Sequence, residues 1–201
     1  MDIDLSVADE SSIHRTLTTI VAPRPIGWIS SKSADGEENL APFSYFNAIS
    51  THPPMVMFSP VDRDGGELKD TPANVLETGE FVVNMVTEDQ LEAMDLTGET
   101  VEPNVDEFEF AGIEKEPAET VDVSRVADAQ AVLECSFHDD VSVPGSTLVL
   151  GIVDYISVDD DVCVNGKIDS REIDSVGRMG GPYYTGVNFL PYERGDAGKR
   201  Q

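Results

Sequence analysis

The chain has 201 residues, 39 of them Asp or Glu against 13 Lys or Arg, for a formal charge of −26. Its hydrophobic content of 40% is that of a folded globular protein of one domain, not a disordered chain. The acidic excess excludes sequence-independent nucleic-acid binding, which needs a basic surface.

Self-repulsion on this scale is relieved by salt, because the Debye length falls to about 3 Å at 1 M. The composition therefore reads as the solvated surface of a protein from a salt-loving organism. An acidic domain that recruits a basic partner is the other reading, and the even spread of carboxylates speaks against it. Residues 1–13, MDIDLSVADESSI, read as an acidic N-terminal arm with no basic, apolar or cleavage region, and no run of 18 apolar residues occurs. A cytoplasmic protein with no membrane contact is expected.

Thr16–Ser31 is rich in Thr, Ile and Val, as strands are, with a Pro-Arg-Pro interruption at 23–25 that implies an edge or a bulge. The turn signal Ser33–Glu38 predicts a hairpin of 26–32 with 39–50. Asn39–Val61 then carries no charged residue at all. Its second half, after His52-Pro53-Pro54, reads as a buried strand over 55–61. Its first half is too polar for plain core and too uncharged for a solvated loop of this chain.

Asp62–Leu68 is a polar Gly-Gly loop. A helix follows, with Asp70 or Thr71 as its cap, Pro72 at the first helical position and Gly79 just past the end. Glu80–Val86 alternates like a strand, and Thr87 with Gln90 forms a capping box for a short helix ending near Gly98. Residues 99–122 read as an acidic insertion or covering loop. Strands are predicted over Val132–Phe137, Ser146–Ser157 and Asp161–Ile168, with Pro144-Gly145 turning between the first two. The domain extends over 14–190 and ends in a polar tail, 191–201. Many short strands and few helices argue for a mainly β, antiparallel barrel. A doubly wound sheet is the alternative, with too few helices to cover it.

Standard catalytic constellations are missing. His14, His52 and His138 stand in no metal-ligand spacing, and neither Cys135 nor Cys163 sits in a nucleophile context. Nucleotide-binding glycine fingerprints are absent too. What remains is a binding site. Lys69 stands beside a helix N-terminus, whose free N–H groups and positive dipole end favour a phosphate, although a capped surface helix with a chance lysine reads the same way. Asn39–Ser50 offers hydroxyls, an amide and backbone donors without repelling an anion. Arg24 is stiffened by flanking prolines, and Trp28, the one tryptophan, fits either a ligand wall or ordinary core. Together these elements describe a cradle for a flat aromatic ligand carrying phosphate.

At this point the segments APRPIGWISSKSADGEENLAPFSYFNAISTHPPMVMFS, KDTPANVLETGEFVVNMV, STLVLGIVDYISVDDDVCVNGKIDS and GRMGGPYYT resemble the flavin reductase-like, FMN-binding split-barrel family that includes flavoredoxin. The matching segments span most of 14–187. The resemblance implies a Greek-key antiparallel split β-barrel of six strands with a few short flanking α-helices, dimerising so that FMN lies at or near the subunit interface. It further implies that Arg24, Pro25, Ile26, Gly27 and Trp28, with Pro42, Phe43, Ser44 and Tyr45, line the isoalloxazine. Asn47, Ala48 and Ser50 would reach the ribityl chain and phosphate, and Lys69, Asp70 and Thr71 would hold the phosphate end. Tyr183 or Tyr184 could close the site, and His138 is a candidate for the histidine that some members place near FMN.

The implied activity is that of an FMN-dependent flavin reductase using NADH or NADPH, with Arg24 stabilising charge at the flavin N1–C2=O edge. A flavoredoxin-type electron carrier reduced by a partner protein, and a β-barrel binding module without redox turnover, are the alternatives.

Overall fold

The structure, a computed structural model, describes residues 2–63, 65–101, 105–192 and 194. Of the tail read over 191–201, residues 193 and 195–201 lie outside the described residues, as do 102–104 within the acidic segment. The chain runs α1 (Glu10–Ile20), β1 (Arg24–Pro25), β2 (Gly27–Lys32), β3 (Glu38–Phe43), β4 (Phe46–Thr51), β5 (Pro54–Phe58), α2 (Asp70–Thr78) and β6 (Glu80–Met85). It continues through α3 (Leu91–Leu96), α4 (Glu107–Ala111), β7 (Lys115–Pro117), β8 (Ser124–Val126), β9 (Ala131–Val143), β10 (Ser146–Val158), β11 (Cys163–Val164), β12 (Lys167–Ile168), β13 (Val176–Arg178) and β14 (Tyr184–Gly186).

Seven strands form one antiparallel sheet in the order β3-β2-β6-β9-β10-β5-β4. The two strands at its ends, β3 and β4, are consecutive in the chain and joined only by Ser44 and Tyr45. A two-residue link cannot cross the width of a flat sheet, at roughly 4.8 Å per strand. The sheet must therefore curl until its edges approach, which makes the split barrel. The Ser59 amide donating to the Tyr45 carbonyl at 2.9 Å ties this corner down. Inside lie Ile29, Phe43, Phe46, Val56, Phe58, Phe81, Val83, Cys135, Val149 and Val153, joined by Val75 of α2. Burial pushes the Cys135 thiol well above its ordinary value, so it is an inert core residue.

The strands β2 and β6 are buried on both faces. Trp28, Val82 and Val86 point away from the barrel interior into a second core with Leu40, Met94, Phe108, Val123, Val126 and Val132. Two cores account for strand residues that are apolar at successive rather than alternate positions.

Several expectations are revised. Thr16–Ile20 belongs to α1, which starts inside the stretch read as an arm. The Asp9 carboxylate caps it by accepting from the Ser12 amide. Its threonines are tolerated because Thr18 and Thr19 donate back to the carbonyls of His14 and Arg15. The predicted strand partner 39–50 breaks at Ser44-Tyr45, so β3 pairs with β2 while β4 pairs with β5, giving seven strands where six were expected. Lys69 is the N-cap of α2, which puts Pro72 in its first turn but not at the first position. Asp161–Ile168 forms a 3-10 turn and a two-residue ribbon closed by Asn165-Gly166, both at positive φ. The described part of 99–122 is built into the fold: Asp106 caps α4, which buries Phe108 completely.

Candidate functional site

The barrel corner at Ser44-Tyr45 separates two cavities. The larger, about 640 Å³, is lined by Asn39, Ala41, Pro42 and Phe43, by Asp62, Arg63, Glu67 and Lys69 with Asp70 and Thr71 of α2, by the 97–101 segment and by Glu107. The smaller, about 260 Å³, is lined by His14, Arg15, Thr18, Arg24, Ser44, Tyr45, Arg178, Met179 and Gly181.

In the larger groove, α2 begins at Asp70, and the amides of Asp70 and Thr71 lie in the first turn, where the helix itself offers no acceptor. Lys69 stands next to them and makes no ion pair among the described residues. The Thr71 hydroxyl donates to Asn39 Oδ1 at 2.7 Å, and the Asn39 amide donates to Glu107 Oε2 at 3.0 Å. Glu107 is 7% exposed, and desolvation raises its carboxyl above the ordinary range, against the hydrogen bonds from Leu40 and Asn39 that favour the anion. Among the described residues, five carboxylates line this groove, those of Asp62, Glu67, Asp70, Glu99 and Glu107, and Asp70 neutralises Arg63 at 2.8 Å. One oxygen of Asp62, Oδ1, is buried without a hydrogen-bond partner.

That donor set fits a flavin mononucleotide. A phosphate suits Lys69 and the α2 amides, the apolar Pro42–Phe43 wall suits a ring, and the orphaned Asp62 oxygen suits a hydroxyl donor of a polyol chain. Acceptor carboxylates, a liability toward an anion, are complementary to hydroxyls.

The residues singled out in the sequence divide into four groups. Pro42, Phe43, Lys69, Asp70 and Thr71 come together in the larger groove, whereas Arg24, Ser44 and Tyr45 line the smaller cavity. Asn47 and Ala48 are exposed and Ser50 half-buried on β4, whose other edge has no partner strand among the described residues. Pro25 is exposed, while Ile26, Gly27 and Trp28 are buried, the Trp28 indole donating to Thr97 Oγ1 at 2.8 Å. A Cβ on Gly27 would lie 2.6 Å from Phe46 Cδ2, so glycine there serves close packing.

Arg24 is 7% exposed and fully engaged. Its guanidinium donates to the carbonyls of Thr18 at 2.6 Å, Val21 at 2.9 Å and Met179 at 3.2 Å, and sits 5.9 Å from the Tyr45 ring centroid. Tyr183 is exposed. The Tyr184 hydroxyl donates to Asp95 at 2.6 Å, and burial with that bond pushes its pKa up to about 12. His138 is exposed on β9, outside both cavities. Asp62 and Glu107 carried no local signal; Asn39 stood at the start of the uncharged window, and Arg178 stood inside the glycine-rich tail motif. Among the described residues, no group of three or more His, Cys, Asp or Glu is placed to hold a metal ion.

Residues 21–170 match the flavin reductase-like domain family. The chain belongs to that family. An uncharacterised protein of Aquifex aeolicus is 40% identical over 185 residues, covering 92% of this chain and 94% of that one. Among solved structures, nitrilotriacetate monooxygenase component B from Bacillus cereus superposes with a TM-score of 0.91 at 29% identity, covering 96% and 98% of the two chains. The 2-nitrobenzoate 2-nitroreductase NbaA of Pseudomonas fluorescens gives 0.85 at 28%, covering 96% and 97%. Flavoredoxin of Desulfovibrio vulgaris, at 20% identity, TM-score 0.79 and coverage of 98% and 100%, shares the fold. No helix among the described residues is long and apolar enough to cross a membrane.

Proposed function

We propose that this flavin reductase-like protein binds FMN and acts as a flavin reductase that draws electrons from NADH or NADPH. The observation that carries the reading is the larger groove, where Lys69 and the two α2 amides have no carboxylate partner among the described residues and share the cavity with an apolar β3 wall. The similarity to a nitroreductase at 28% identity supports redox chemistry in particular.

In this reading Lys69 and the amides of Asp70 and Thr71 hold the phosphate. Asn39 fixes the Thr71 hydroxyl, and Glu107 fixes Asn39, so the start of α2 is tied to β3 and α4 before any ligand arrives. Such preorganisation lowers the ordering cost of binding. Asp62 accepts from the polyol, and Pro42 faces the ring, backed by Phe43 in the barrel core. When bound, FMN supplies the two-electron chemistry between nicotinamide and acceptor. The Arg24 charge, held by three carbonyls near Tyr45, favours negative charge developing on a ring at this corner.

A homodimer completes the reading. The free edge of β4 and the outward residues Ile49 and Val141, 48% and 46% exposed, flank half-buried Met55, Met57, Leu148 and Leu150. An apolar sheet face of this kind is suited to a second copy, and Asn47, Ala48 and Ser50 would then face the flavin from the interface.

Steady-state oxidation of NADH and NADPH in high salt, with FMN, FAD and riboflavin supplied in turn, tests the assignment. Continuous turnover with FMN is expected. Reduction only through an added partner protein would make the protein an electron carrier of the flavoredoxin kind. A sample that stays colourless after incubation with FMN would sink both.

A further inference from the structure

The smaller cavity carries a distinct charge signature. Lys32, Arg63, Lys115, Arg125 and Arg171 each hold a carboxylate. Arg15, Arg24 and Arg178 form no ion pair among the described residues, in a chain with three carboxylates for every cation. All three line the same cavity, with His14 beside them and no Asp or Glu in its wall. Unneutralised cations in a carboxylate-rich chain repel one another, so their convergence from α1, β1 and β13 is costly unless an anion joins them.

The three arginines are not equivalent. Arg24 spends its donors on backbone carbonyls, docking α1 and contributing charge alone. Arg178 lies 4.5 Å from the Tyr184 ring centroid, and that ring is anchored by its hydroxyl to Asp95. Stacking holds the guanidinium plane while leaving its N–H groups free. Arg15 stands on the exposed side of α1 with its donors free as well. The α1 wall is close-fitting here: a Cβ on Gly180 would come 2.4 Å from Thr19 Oγ1. Two free guanidinium forks suit the bidentate geometry of phosphate oxygens.

We propose that this cavity is a second anion site, which takes a phosphate group of the nicotinamide dinucleotide. The assignment rests on the reductase reading above, in which the flavin phosphate lies at Lys69. Two rings that exchange electrons by direct transfer must touch. The two cavities meet along one continuous stretch, with Pro42 and Phe43 lining the first and Ser44 and Tyr45 lining the second. Flavin phosphate and dinucleotide phosphate then lie on opposite sides of that stretch, with the rings meeting over it. A volume of about 260 Å³ holds a phosphate end and not a whole dinucleotide.

The test is calorimetric titration of the FMN-loaded protein with the oxidised dinucleotides NADP+ and NAD+, at one fixed salt concentration, in wild type, Arg15→Gln, Arg178→Gln and the double variant. Each single change should raise the dinucleotide Kd about tenfold and the pair about a hundredfold, as for charge-assisted hydrogen bonds, with the FMN Kd within about twofold. A loss confined to NADP+ places the 2′-phosphate here; an equal loss for NAD+ places the pyrophosphate. Unchanged dinucleotide binding in the double variant overturns the proposal. So does no measurable binding of either dinucleotide to FMN-loaded wild type. Should Arg178→Gln perturb folding, Arg15→Gln, on the exposed face of α1, decides alone. FMN weakened as much as the dinucleotide assigns the cavity to flavin phosphate and overturns the donor assignment. If wild type fails to bind FMN, the reductase reading falls, and inorganic pyrophosphate becomes the probe. Its binding to wild type but not to the double variant keeps the anion site, and no binding removes it.

Discussion

Glu107 Oε2 accepts from the Asn39 amide at 3.0 Å and from the Leu40 backbone amide at 3.1 Å. A carboxylate of the acidic 99–122 segment thus holds the first residue of the uncharged window, and through Asn39 it reaches Thr71 at the start of α2. Glu107→Ala should leave both donors unsatisfied and cost about 1–3 kcal/mol in denaturant unfolding. Glu107→Gln keeps an acceptor and should cost far less.

The same residue gives a pH signature. Below its ordinary value of 4.5 the carboxyl is protonated in both folded and unfolded chains, so burial carries no penalty. As pH rises past that value the unfolded chain ionises first, and folded stability falls until the buried carboxyl ionises too. Thermal unfolding should therefore show Glu107→Gln gaining on wild type as pH rises above about 4.5. A difference that stays constant across that range would deny the desolvated carboxyl.

Lys69→Ala should weaken FMN about tenfold while leaving riboflavin nearly unchanged, because only the phosphate is lost as a partner. Fluorescence titration with both ligands measures this, and an equal loss for the two would remove Lys69 from the phosphate site.

The structural role of Arg24 and the electrostatic role proposed for it separate by substitution. Arg24→Ala should cost roughly 3 kcal/mol, since it frees three carbonyls that dock α1. It should also lower the reduction potential of bound FMN. Arg24→Lys should keep most of the potential while losing most of the stability, because an ammonium retains the charge but not the guanidinium fork. Spectroelectrochemistry beside chemical denaturation checks the split, and an unchanged potential in Arg24→Ala refutes the electrostatic role.

Gly151 faces the barrel interior, where an added Cβ would lie 2.3 Å from Phe81 Cζ. Gly151→Ala should cost about 1–3 kcal/mol through overpacking, read as a lower unfolding midpoint.

The carboxylate excess should make stability salt-dependent, and with it the assembly of the proposed dimer. Sedimentation in falling salt should show reversible dissociation of that proposed dimer, with the unfolding temperature dropping in parallel. A dimer that persists unchanged at low ionic strength would count against repulsion as the limiting term.

Much of the fold was legible locally. The Gly79 stop of α2, with its φ of 80°, the Thr87–Gln90 capping box and the Pro144-Gly145 turn are each decided by neighbouring residues. Thr16–Ile20 was not, because β-branched content outweighs a cap at Asp9 that begins several residues earlier. The break at Ser44-Tyr45 was hidden by a window uniformly uncharged on either side. In the site, the cluster of Pro42, Phe43, Lys69, Asp70 and Thr71 followed from motifs, while Asp62 and Glu107 did not.

The sequence by itself determined a mainly β chain, an uncharged strand pair and a lysine at a helix start, since propensity, capping and charge pattern are local properties; the flavin reductase-like family entered through the resemblance of whole segments. Only the tertiary structure decided that the window is cut at Ser44-Tyr45 into walls of two cavities, one rich in carboxylates and one lined by arginines. Barrel closure is the physical reason. It brings the strands at the two ends of one sheet together, while the pairing of β1 with β13 sets Arg24 opposite Arg178 and α1, docked on Arg24, adds Arg15, a surface that no local pattern encodes.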